Sequence, residues 1–247
     1  MRQVNQAPGK GLPEPFRSKL HSGGWLGTAH GGLTTVAPAN SRRAIVAAIT
    51  LGVDIVEVDV HRTIDEQLVL HHDRDVRVGA VPMPIVLATL RQLKAVDLGQ
   101  DDHIITLAEA MDIVRGRAGL FVDVKADGLA RAIVTTARQF AFTPLIVGGI
   151  FRETLTTVAH LDPAIGTSLT LLEGWPEAYG AEIVERADTP ALTVDHTLLD
   201  PSFIERCHTA GRAVLAWTVD DLPRMRELLS WGVDGITSNR PDLFVRV

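Results

Sequence analysis

Apolar runs of strand length alternate with segments of helical period eight times along this chain, and no other feature limits the fold as much. The strand candidates are "WLGTAHGG", "DIVEVDV", "GLFVDVKA", "PLIVGGI", "AIGTSLTL", "PALTVDH", "AVLAWTV" and "DGITSN". Between them, Ala44, Ile45, Ala48 and Ile49 fall on one helix face, as do Leu107, Ala110, Met111 and Val114, and later Leu222, Met225 and Leu229. Gly52, Gly211 and Gly232 each precede the next strand, and glycine is the residue that most readily ends a helix. Strand and helix repeated in this way build a parallel sheet covered by helices, and 247 residues is the usual length of a closed eight-fold barrel. A doubly wound open sheet is the main competitor, but the first strand leads into "AHGGLTTVAPAN" with no G-x-G-x-x-G phosphate fingerprint. The expectation is an α/β protein folded as one TIM (β/α)8 barrel over residues 25–247. Residues 1–24 read as an irregular N-terminal arm. The polar stretch at about 64–86, with "QLVLHHD" as a short strand inside it, reads as an insertion on the face where such barrels keep their sites.

Composition narrows the partners. The formal net charge is −6, and no block of Lys or Arg is long enough to track a phosphate backbone or an anionic lipid surface. Neither nucleic acid binding nor membrane insertion is expected, so a small molecule is the expected partner. Cys207 is the only cysteine, which excludes an internal disulfide and fits a reducing compartment. The first residues carry no apolar run of the signal-peptide kind, so the expected location is the cytoplasm.

The polar residues at strand ends carry the chemistry. In "DIVEVDV", alternation sends Glu57 and Asp59 to one face of a segment otherwise built for burial, and in "GLFVDVKA" Asp123 and Lys125 share a face for the same reason. His30 ends the first strand, and His71, His72 and Asp73 lie in the insertion. Three carboxylates converging in an apolar barrel lose hydration and repel one another, at a cost of several kcal/mol per ion unless positive charge is supplied. Two readings fit: a hard divalent cation such as Mg²⁺ or Ca²⁺, or structural ion pairs with Lys or Arg. Histidines beside such a site suit acid and base roles near neutral pH.

With these residues in view, the chain resembles the glycerophosphodiester phosphodiesterase family from about Gly27 to Phe244. The resemblance rests on "AHGG", "APAN", "LGVD", "VEVDV", "LVLHHD", "AWTVD" and "GVDGITSNRPDLF", taken in order. It implies the PLC-like phosphodiesterase type of barrel and a metal-dependent enzyme that cleaves a glycerophosphodiester-like molecule to an alcohol and a phosphomonoester. Carried over residue by residue, it implies His30 and His72 as the acid–base pair and Glu57, Asp59 and Asp123 as ligands of one divalent cation, Mg or Ca. Lys125 then lies near the substrate phosphate, and Trp217 matches an aromatic at the pocket mouth.

Three departures stand out. Gly31 and Ala39 occupy positions where the family has an Arg and a Glu, and Asp123 replaces a Glu. The missing Arg and Glu suggest a pair lost together. The Asp-x-Lys arrangement is more similar to sphingomyelinase D and phospholipase D toxins, whose attack by a substrate hydroxyl leaves a cyclic phosphate. A phosphate-binding barrel that no longer turns over is a further alternative. So is a zinc site of His61, His71 and His72, although adjacent strand residues point to opposite faces. His61 and His71 otherwise read as rim or surface residues, although His61 shares the face of Glu57 and Asp59, which points it toward the pocket.

Overall fold

In the computed structural model the described residues are 9–99, 102–140, 144–172, 174, 184 and 187–247. All eight expected strands are present: β1 (Leu26–Ala29) and β2 (Ile55–Arg62), then, after three short strands considered below, β6 (Gly119–Val124), β7 (Leu145–Gly149), β8 (Gly166–Leu171), β9 (Ala191–Asp195), β10 (Ala213–Trp217) and β11 (Gly235–Ser238). Every neighbouring pair among these eight is parallel. The sheet closes because β1 pairs on both sides, Leu26 with Gly235 of β11 and Thr28 with Ile55 of β2. The fold is a TIM barrel.

Helices cover the barrel, including the three segments whose apolar spacing predicts them. Among the described residues they are α1 (Phe16–His21), α2 (Arg42–Thr50), α3 (Leu90–Lys94), α4 (Leu107–Val114), α5 (Ala130–Gln139), α6 (Arg152–Leu161), α7 (Pro201–Thr209) and α8 (Leu222–Trp231). Local chemistry sets their ends. The Ser41 hydroxyl accepts the Ala44 amide at the start of α2, Thr106 and Glu109 form a reciprocal capping box on α4, and Gly232 closes α8 in the left-handed region at φ 94°. Val56, Val58 and Val60 of β2 and Leu120, Val122 and Val124 of β6 pack outward in the main core with these helices. The alternate residues therefore face inward, and that parity places Glu57, Asp59, Asp123 and Lys125 inside the barrel.

The N-terminal segment departs from the irregular arm expected. Leu12, Phe16 and Leu20, the last two on α1, are buried with Leu26, Ile55, Phe121, Ile146, Ala191, Ala213 and Leu215, and so close the floor of the barrel. Glycine makes room for them: a Cβ on Gly119 would lie 2.0 Å from Phe16 Cζ, so any larger residue collides with the ring.

The region at about 64–86 is also more ordered than a polar loop. β3 (Leu68–Leu70) pairs antiparallel with β2, and a hairpin follows from β4 (Asp75–Val78) and β5 (Val81–Pro84). Val69, Val76 and Ile85 share a small core with Leu93, Val96 and Ile104, so this packing unit continues past residue 86.

Candidate active site

The β2–β6 register brings the acids together. Asp59 and Asp123 are direct Cα partners on adjacent parallel strands, and Glu57 lies one inward step below Asp59. One carboxylate oxygen from each of Glu57, Asp59 and Asp123 lies within 4.8 Å of the other two. Glu57 and Asp59 are 5% and 3% exposed, so bulk water does little to separate their charges.

Backbone and amide donors hold these groups in place. The Gly31 N–H donates to Glu57 Oε2 at 2.8 Å. Asn40 Nδ2 donates to Asp59 Oδ2 at 2.7 Å, while Asn40 Oδ1 accepts the Asp59 N–H at 2.9 Å. Lys125 Nζ lies 2.8 Å from Asp59 Oδ1 and 2.6 Å from Asp123 Oδ2. The structure thus contains both features the sequence left as alternatives: a carboxylate cluster with the spacing of a cation site, and a lysine paired to two of its members.

The charges do not balance, since three carboxylates face one lysine. Burial, reinforced by the negative charges of Asp59 and Asp123, pushes the Glu57 carboxyl well above its ordinary range. Asp123 is raised by burial, which Lys125 only partly offsets. At Asp59 burial works the same way, but the Lys125 ammonium and the Asn40 amide prevail and hold the carboxyl low. Lys125 itself is held above its ordinary value, because Asp123 and Asp59 outweigh the cost of burying the ammonium. A buried cluster of hard oxygens, with Asp59 Oδ1 lacking any aligned hydrogen bond, suits a divalent cation.

A pH dependence follows for Glu57. A carboxyl harder to ionise in the folded than in the unfolded state costs stability as pH rises from the ordinary carboxylate range through its raised value; below that range the cost disappears. Glu57→Gln is therefore expected to raise the melting temperature in chelator at pH 8, with the gain shrinking as pH falls toward about 4. A gain equal at every pH would contradict this origin.

His30 enters from the end of β1, with Nε2 4.0 Å from Glu57 Oε2. Its other nitrogen is fixed by a chain of bonds. Asp220 accepts the Asn239 N–H and Nδ2 groups, each at 2.8 Å, and the Ser238 hydroxyl at 2.9 Å. A carboxylate only accepts, so the Asn239 amide turns its Oδ1 toward His30, and His30 Nδ1 donates to it at 2.9 Å. Nε2 is then the nitrogen left on the side of the acids.

His72 is placed differently. Its side chain is 62% exposed, and Nδ1 is paired with Asp73 Oδ1 at 2.8 Å. Trp217, at the end of β10, is partly buried, and among the described residues its indole Nε1 has no partner. The structure therefore gathers Glu57, Asp59, Asp123, Lys125 and His30, with His72 exposed beside Asp73 and Trp217 on a separate strand.

His61 is not a rim or surface residue but follows the other expectation, that of the face it shares with Glu57 and Asp59. It is 8% exposed, with Nε2 3.3 Å from the His72 carbonyl oxygen, because its inward parity continues that of Glu57 and Asp59. Burial pushes both His61 and His71 down, toward the neutral form. Among the described residues, the group with metal-binding spacing is the carboxylate trio and not these histidines.

Asn40, Asn239 and Asp220 were not singled out in the sequence, although "APAN", "SNRPD" and "WTVD" contain them. Gly31 and Ala39 do face each other: a Cβ on Gly31 would sit 2.9 Å from Ala39 Cβ, at a backbone φ of +63°. Gly31→Arg alone is expected to lose about 1–2 kcal/mol of stability from the left-handed backbone and to gain no activity. Adding Ala39→Glu, which supplies a carboxylate partner, is expected to raise kcat/KM above that of the single variant. A gain from Gly31→Arg alone would contradict the idea of a lost pair.

Comparison with known proteins gives a consistent picture. The chain matches the glycerophosphoryl diester phosphodiesterase family over residues 30–142 and 146–243. It is 28% identical over 244 residues to the glycerophosphodiester phosphodiesterase GDPD4 of Arabidopsis thaliana, covering 87% of this chain and 71% of that one. A glycerophosphodiester phosphodiesterase of Caldanaerobacter subterraneus subsp. tengcongensis is 25% identical over 238 residues, covering 89% of this chain and 96% of its own. Among solved structures, an Oleispira antarctica phosphodiesterase in complex with the product sn-glycerol-3-phosphate superposes with a TM-score of 0.81 at 26% identity, covering 90% of this chain and 95% of that one.

Proposed function

We propose, from the premise that this chain belongs to the glycerophosphoryl diester phosphodiesterase family, that it hydrolyses a small glycerophosphodiester with Mg²⁺ or Ca²⁺ held by Glu57, Asp59 and Asp123. The observation that supports this most is the convergence of three carboxylate oxygens within 4.8 Å inside the barrel, beside an ammonium and an oriented histidine. The cation, when bound, draws charge from a phosphate oxygen and makes phosphorus easier to attack.

The chain's own groups do the rest. Lys125 supplies a second positive charge to the phosphate. His30 and His72 exchange protons through Nε2, since Asn239 and Asp73 engage their Nδ1 atoms. One takes the proton of the attacking water as the bond to phosphorus forms, and the other protonates the departing alcohol oxygen. Trp217 covers the alcohol part of the substrate. Residues 25–247, with the segment from Leu12 as their floor, act as one barrel domain, and the enzyme works in the cytoplasm. Among the described residues no helix is long and apolar enough to cross a membrane.

Phosphorus NMR of the protein with a panel of glycerophosphodiesters tests this reading. A phosphomonoester that appears with metal and not with chelator is the expected result. A persistent cyclic phosphate would replace water by a substrate hydroxyl as the nucleophile, and no conversion across the panel would contradict the proposal.

A further inference from the structure

The two oxygens of Asp59 are differently committed. Oδ2 accepts the Asn40 amide at 2.7 Å, within a two-point contact that also holds the Asp59 backbone N–H. Oδ1 is buried and has no aligned hydrogen bond, and the positive group facing it is Lys125 Nζ at 2.8 Å. Oδ2 keeps a second lone pair, but Oδ1, with no amide on it, is the more open of the two to a cation, and it is the one the lysine faces. A divalent ion and an ammonium cannot share that place, since like charges a few ångströms apart in a buried site repel strongly.

Lys125 has another place to go. It lies 2.6 Å from Asp123 Oδ2 and stays 23% exposed on a flexible four-carbon stem, so the ammonium has a second anchor and access to solvent.

We infer that Lys125 is a built-in counter-ion that competes with the metal for Asp59 Oδ1, and that a bound phosphate, by drawing the ammonium away, tightens metal binding. This rests on the reading of Glu57, Asp59 and Asp123 as the metal site. Without substrate the lysine offsets part of the acid charge and keeps metal affinity low. With a phosphodiester present, the ammonium transfers to the phosphate oxygens and the cation takes Oδ1. Metal and phosphate therefore bind cooperatively through one side chain, and the coupling is reciprocal.

Calorimetric titration of the chelator-treated protein with Mg²⁺ and Ca²⁺, with and without sn-glycerol 3-phosphate, measures that coupling. In the wild type the phosphate compound is expected to tighten metal binding by a factor within the range of about 5 to 150 usual for coupled sites. Lys125→Met is expected to tighten binding of metal alone and to reduce the coupling to less than half on a logarithmic scale. The chain has only four lysines, Lys10, Lys19, Lys94 and Lys125, so side-chain ¹⁵N NMR of the unmodified protein follows the ammonium directly. The Lys125 resonance is expected to move with metal occupancy in the absence of phosphate.

A Lys125 resonance that stays fixed while metal binds overturns the inference, as does undiminished coupling in Lys125→Met. Both leave the metal site standing. Metal binding unchanged by Asp59→Asn and by Asp123→Asn, or absent in the wild type, overturns the metal-site reading and this inference with it.

Discussion

His30→Ala lowers turnover of a glycerophosphodiester by about two to four orders of magnitude, the range associated with losing a general acid or base. The geometry makes the expectation specific. Nδ1 is fixed by Asn239, itself fixed by Asp220, so the working nitrogen is Nε2, 4.0 Å from Glu57 Oε2. A group that acts only in proton transfer is missed in kcat far more than in KM, and the melting temperature should stay close to that of the wild type. Asn239→Leu retains the imidazole but removes what orients it, so a smaller loss is expected, again in kcat. His72→Ala is expected to match His30→Ala despite its exposure, because each supplies one half of the acid–base pair. Near-full activity in His30→Ala would end its assignment; a rise in KM with kcat unchanged would make it a binding group.

Phe16→Ala destabilises the protein by about 3–5 kcal/mol, the usual cost of truncating a buried Phe to Ala. Phe16 is 2% exposed and fills the space left open by Gly119, so removing the ring leaves a cavity at the base of the barrel. Apolar neighbours from several strands line it, and closed strands do not collapse inward easily. Urea unfolding checks this: the midpoint should fall with little change in slope. A loss below about 1 kcal/mol would mean that the N-terminal segment only rests against the floor. The active site lies at the other end of the strands, so kcat at low temperature should barely change.

The strands were legible because those of a parallel barrel are buried on both faces and read as near-continuous apolar runs. The same alternation shows in the sequence that Glu57 shares a strand face with Asp59, and Asp123 with Lys125. What escaped did so for identifiable reasons. Leu12, Phe16 and Leu20 stand four residues apart, a helical spacing, but Gly and Pro around them suggested irregular chain. The β4–β5 hairpin was hidden by Pro82 and Pro84, which usually argue against a strand and are tolerated here in a two-stranded ribbon that has only edges. Asn40, Asn239 and Asp220 act from loops, where side-chain direction has no period to read. Their motifs were visible, but their bonds to Asp59 and His30 were not. Trp217 could be placed at a strand end, while its link to a substrate rests on resemblance.

The most direct test of the central claim joins metal occupancy to turnover. Chelator-treated protein is titrated with Mg²⁺ and Ca²⁺ while initial rates of glycerophosphodiester hydrolysis and metal binding are measured under the same conditions. A negligible rate without metal, saturation with a midpoint equal to the binding constant, and both midpoints displaced together in Asp59→Asn and Asp123→Asn are expected. Full turnover in chelator, or activation that those two substitutions leave unchanged, would contradict that claim.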